Sequence, residues 1–164
     1  MKTAKETGGQ LLEIESTYDN ISKEPAPHYH PYQEDNLVVL EGELTAKIDG
    51  VVRVLTKGQT LDILPNTVPS MWSSYGKKTI VNWKVSPAMD TEFFLENTMG
   101  LASDGKTDEA GMPGLLQVAL LANIFSYIFR LSKPPYFIQK IVFSLLTPFA
   151  YFKGLKPFYE KYQN

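Results

Sequence analysis

Pro27-His28-Tyr29-His30-Pro31-Tyr32-Gln33-Glu34-Asp35-Asn36-Leu37-Val38-Val39-Leu40-Glu41-Gly42 is the stretch on which the reading of this chain turns. It contains both histidines of the chain, with one residue between them. On an extended backbone, residues two apart project to the same face, so the imidazoles of His28 and His30 share a side. A carboxylate placed shortly after them, Asp35 with Glu34 beside it, can join two imidazoles around a divalent metal. The apolar run 37–40 then reads as a strand ending in a Glu41-Gly42-Glu43 turn.

The strand rhythm extends outward on both sides. Leu12, Ile14 and Ser16 alternate with Glu13, Glu15 and Thr17, a period of two. Residues 44–48 form a strand, and Asp49-Gly50 is a tight-turn signal for a hairpin into 51–55. Lys57-Gly58 and Pro65-Asn66 break the chain around a strand at 60–64, and 79–85 is the last clear strand. Short strands separated by turn signals indicate an all-β sandwich or barrel over residues 1–90.

Residues 27–42 resemble the first motif of the cupin superfamily, H-x-H, three or four residues, Glu, six residues, Gly. With four spacers the carboxylate position is Asp35, with six residues between it and Gly42; with three it is Glu34, one residue too far from the glycine. The second cupin motif, G-x5-P-x-G-x2-H-x3-N, is degraded. From Gly58, the proline position holds Leu64 with Pro65 next to it, and Asn66 stands for the glycine. Pro69 stands for the histidine, or Ser70 with a shift of one, and Ser73 for the asparagine. The resemblance implies a mainly β fold: a double-stranded β-helix, or jelly-roll, barrel with its site inside the mouth. It also implies a metal held by His28, His30 and Asp35, with Glu34 as substitute, in a facial triad that leaves open positions. Iron, manganese, nickel and zinc suit such donors. The missing second-motif histidine leaves open that the metal is absent. Met71, Trp72, Trp83 and Tyr32 are candidates to line an apolar pocket for a small, apolar or aromatic molecule. Cupins include dioxygenases, isomerases, decarboxylases, regulators and storage proteins, so the fold alone selects no reaction.

After Pro87 the texture changes. Residues 91–101 read as a short helix with Asp90 as its cap, and 102–111 as an exposed linker, so that 91–112 joins the barrel to a C-terminal segment. That segment, residues 113–164, reads as a helical extension. One helix is expected over 115–131 and a second over 136–152, with Pro148 kinking or ending it. Charge divides in the same place. Residues 1–112 hold 10 Lys/Arg against 17 Asp/Glu, whereas 113–164 hold 6 Lys/Arg against Glu160 alone. These cations are spread among large apolar side chains, which does not suit nucleic acid. The extension is expected to pack on the barrel, to form a homodimer contact, or to lie on an anionic membrane surface.

Without cysteine, disulfides, thiolate metal sites and a cysteine nucleophile are excluded. The first nine residues hold no apolar signal region, so the cytoplasm is the default expectation. Three kinds of activity stay open: a metal-dependent enzyme of the dioxygenase type, a non-catalytic binding module with a degenerate metal site, and a membrane-surface protein. No catalytic residue is assigned.

Overall fold

In the computed structural model, which describes residues 1–162, the alternating segments of the first half pair antiparallel into two sheets. The strands of this half are β1 (Leu12–Tyr18), β2 (His28–Tyr29), β3 (Glu34–Glu41), β4 (Glu43–Ile48), β5 (Val51–Thr56), β6 (Thr60–Ile63), β7 (Pro69–Trp72) and β8 (Thr79–Ser86), and all but β2 belong to these two sheets. One sheet runs β1-β8-β3-β6 and the other β5-β4-β7. Leu37, Val39, Leu61 and Val81 of the first meet Leu44, Ala46 and Leu55 of the second in a single core. Each large side chain removed from water there contributes about 1.5–3 kcal/mol. This is the double-stranded β-helix that the cupin resemblance implies.

The turns follow their residue chemistry. Asp49 (φ 47°) and Gly50 (φ 89°) both take the left-handed conformation of a two-residue hairpin, joining β4 to β5. Gly42 (φ 77°) is required for a second reason: a Cβ there would lie 2.5 Å from the Lys78 carbonyl oxygen.

Helix α1 (Thr91–Ser103) lies where the sequence predicts it, but Asp90 makes no side-chain cap. Its carboxylate instead accepts the Tyr127 hydroxyl. Burial, reinforced by that bond, pushes the Tyr127 phenol up to about 12. Helix α2 (Leu115–Ile124) stops seven residues short of the expected end at 131. Phe125, Tyr127, Ile128 and Phe129 are poor helix formers, and their tertiary partners win. Phe125 and Ile128 enter a core with Leu101 and Leu121, and β9 (Arg130–Leu131) pairs with β2. Helix α3 (Tyr136–Phe152) does not end at Pro148, which is exposed; Phe143 before it and Ala150 after it are both buried.

The extension therefore packs on its own chain. Asn97 on α1 accepts the Tyr159 backbone N–H at 2.7 Å, and Gln117 on α2 donates to the Lys156 carbonyl at 2.9 Å. Lys161 and Tyr162, in a terminal turn (Glu160–Tyr162), reach Asp104 at the end of α1.

Candidate functional site

The two histidines are fixed from both ends of the chain. Asn66 (φ 66°), in the position where the second motif has glycine, donates its backbone N–H to the His30 carbonyl at 2.8 Å. Its side-chain amide donates to the Pro31 carbonyl at 3.3 Å. From the other side, β9 pairs with β2, placing Leu131 opposite His28 and Arg130 opposite Tyr29. Each imidazole bonds a backbone carbonyl through Nδ1: His30 to Ile128 at 2.5 Å and His28 to Ala26 at 2.9 Å. A carbonyl only accepts, so both Nδ1 atoms carry the proton and, in the neutral rings, both Nε2 atoms are acceptors.

Burial favours those neutral rings. It lowers His28 to about 4, helped by the neighbouring His30 charge, and it lowers His30 as well. Asp35 is buried beside them in β3, while Glu34, one residue earlier, is exposed on the other face. This is the alternation expected of a strand. Burial raises Asp35 to about 6, against a hydrogen bond from the Trp83 indole N–H to Oδ1 at 3.2 Å. Its Oδ2 lies 3.8 Å from His30 Nε2, beyond hydrogen-bond distance.

These donors do not make the expected metal set. His28 lies tilted against Phe129 of the extension, with ring centroids 4.9 Å apart, and stands edge-on to His30 at 5.4 Å. Asp35 is held by Trp83, and the exposed Glu34 is not a substitute ligand. Pro69 and Ser70, at the place of the missing histidine, are buried in β7 and offer no imidazole. Among the described residues no group of three or more His, Asp or Glu is arranged to hold a metal ion. Among the described residues, the His28, His30 and Asp35 side chains are thus not gathered into a three-ligand set.

What the arrangement does form is a cavity of about 280 Å³ between the barrel mouth and the helices. His28, His30, Met71, Trp83 and Tyr18 line its barrel side. Phe94, Leu95 and Thr98 of α1, Val118, Leu121 and Ala122 of α2, and Phe129 close it. Two of the four expected pocket residues, Met71 and Trp83, are on this wall. The other two, Trp72 and Tyr32, are not. Trp72 follows Met71 in the same strand and so turns to the opposite face. Tyr32 is 59 % exposed and lies under the Arg130 guanidinium, 5.7 Å from its ring centroid. Tyr18 and the helical wall are not among the residues that the sequence singles out. Tyr18 sits at the inward-leaning end of an alternating strand, a readable signal; the helical wall depends on how distant segments meet.

Gln33 is another residue the motif passes over. Its amide donates to the Pro87 carbonyl at 2.8 Å and to the Thr91 hydroxyl at 2.7 Å, tying the histidine segment to the start of α1.

Among solved structures, the chain is similar to an uncharacterized double-stranded β-helix protein from Klebsiella pneumoniae. That match has 23 % identity and a TM-score of 0.45, covering 49 % of this chain and 70 % of that one. It is also similar to an RmlC-like cupin from Shewanella frigidimarina, with 25 % identity and a TM-score of 0.46, covering 51 % and 72 %. A third match, KdgF from Halomonas sp., has 18 % identity and a TM-score of 0.45, covering 51 % and 74 %. Neither a family model nor a curated protein sequence matches the chain.

Proposed function

We propose that this protein binds a small apolar molecule bearing one hydroxyl group in the cavity between the barrel mouth and helices α1 and α2. The observation that carries this reading is the composition of the cavity wall. Aromatic and aliphatic side chains surround two imidazoles whose proton-bearing nitrogens are already bonded to carbonyls. A volume of about 280 Å³ suits a compact ligand such as a substituted phenol or a short alcohol. Apolar walls supply affinity without direction, and an acceptor nitrogen on His28 selects a ligand that brings an O–H donor. The protein is thus a binding module in which the cupin metal position has been given over to ligand recognition.

Titration with p-cresol, followed by Trp83 fluorescence in a Trp72→Phe background, tests it. Saturable quenching is expected, and His28→Phe is expected to weaken binding about tenfold, the worth of one hydrogen bond. The same substitution is expected to leave p-xylene, which lacks the hydroxyl, unchanged. Leu121→Trp, which fills the cavity, is expected to abolish both. The absence of saturation, or a full equivalent of transition metal in protein purified without chelator, overturns the proposal.

A further inference from the structure

The outer face of α3 has no partner within this chain. Phe137, Ile141, Leu145 and Phe149 recur at intervals of four, and Pro148 and Phe152 fall on the same side. All six are exposed, Leu145 by 66 % and Phe152 by 89 %. Gln139, Phe143 and Ala150, on the opposite side, are buried. Helix α3 is thus a folded element whose inner face is satisfied and whose outer face is a continuous apolar stripe. At 1.5 Å per residue the stripe is roughly 25 Å long. Contiguous apolar surface of that kind marks an interaction face.

The surrounding charge identifies what the face meets. Lys140 and Lys153 border the stripe on its two sides by helical periodicity, and Lys133 and Lys156 stand beyond its ends. All four are exposed, and none makes a salt bridge among the described residues. No carboxylate side chain occurs anywhere between residues 113 and 159. A second copy of this chain would set the same lysines against each other around the stripe, which like-charge repulsion opposes. A bilayer carrying anionic headgroups satisfies both features at once, taking the aromatic and aliphatic stripe below the headgroups and the ammonium groups among the phosphates. No helix among the described residues is long and apolar enough to cross a membrane.

We infer that α3 lies in the plane of an anionic lipid surface, with Phe137, Ile141, Leu145, Phe149 and Phe152 inserted. The inference stands independently of the cavity's ligand. It is tested by sedimenting the full chain with phosphatidylcholine vesicles that contain about one-third phosphatidylglycerol, at low salt, against pure phosphatidylcholine. Binding is expected to the anionic vesicles and to fall as salt rises. Lys140→Gln with Lys153→Gln is expected to weaken it roughly 25-fold, about fivefold for each lysine. Leu145→Ser with Phe149→Ser is expected to weaken it more than about 100-fold. An unchanged thermal midpoint and far-ultraviolet circular dichroism spectrum show that these surface variants remain folded. Three results overturn the inference: no binding to anionic vesicles, binding indifferent to the stripe substitutions, or a vesicle-free dimer that Leu145→Ser dissolves.

Discussion

Strand β3 buries Asp35, Leu37 and Val39 and turns Glu34 out, whereas α3 buries only Gln139, Phe143 and Ala150 and leaves Phe137, Ile141, Leu145, Phe149 and Phe152 outside. Both segments are rich in apolar residues, and the difference lies in how many sides need covering. A strand has two faces, and a facing sheet covers one completely. A helix that is apolar around much of its circumference needs cover on more than one side, and α2 covers only one side of α3. The two barrel sheets thus cover their apolar faces between themselves, while α3 is covered on its inner face and open on its outer one.

The largest effect is expected where the extension closes on itself. Phe125 is fully buried among Leu101, Leu121 and Ile128. Phe125→Ala is expected to lose about 3–5 kcal/mol in urea denaturation. A loss below about 1 kcal/mol would mean that the extension adds little to the fold's cohesion, and the contrast between barrel and extension would break.

An intermediate effect is expected at the junction, as pH dependence. The unfolded chain protonates His28 near 6.5, but burial holds it at about 4 in the folded state. Its contribution is therefore complete above about pH 6.5 and is lost as pH falls through 4. Asp35, raised to about 6, works in the opposite sense: the folded form takes up its proton first, so stability is gained as pH falls from about 6 towards 3.8. His28→Phe is expected to flatten the acid limb of a plot of Tm against pH by the equivalent of roughly 3 kcal/mol. Asp35→Asn is expected to steepen it. Equal acid limbs in all three proteins would show that the imidazoles are more hydrated than their burial implies.

The smallest effect is expected on the open face. Leu145→Ala, at a position 66 % exposed, is expected to shift stability by no more than about 0.5 kcal/mol in the same urea measurement. A larger loss would sharpen the comparison in the other direction, because it would mean that a partner already covers α3 in solution.

How far the molecule is legible in its sequence divides along the same line. Period-two alternation is a local signal, so the strands and the Asp49-Gly50 hairpin can be read from spacing. The same rule, applied strictly, separates Met71 from Trp72; placing both in one pocket overlooks it. The end of α2 is not local. The apolar pattern runs on past Ile124, and the helix stops because the Ile128 carbonyl and Arg130-Leu131 have partners near His28 and His30, about a hundred residues earlier. Tyr32 is close to the site in sequence, yet it lies at the surface, 59 % exposed. The surroundings of His28, His30 and Asp35 are hidden for the same reason as the α2 boundary. A motif describes one wall of a site, and here the opposite wall, with Phe129 and Ile128, comes from the extension.

That long closure has a consequence for biosynthesis. On the ribosome all the strands of the two barrel sheets emerge by Ser86, whereas the carbonyl that accepts from His30 belongs to residue 128. During that interval both imidazoles lack the partners that the extension supplies, the Ile128 carbonyl for His30 and the Phe129 ring for His28.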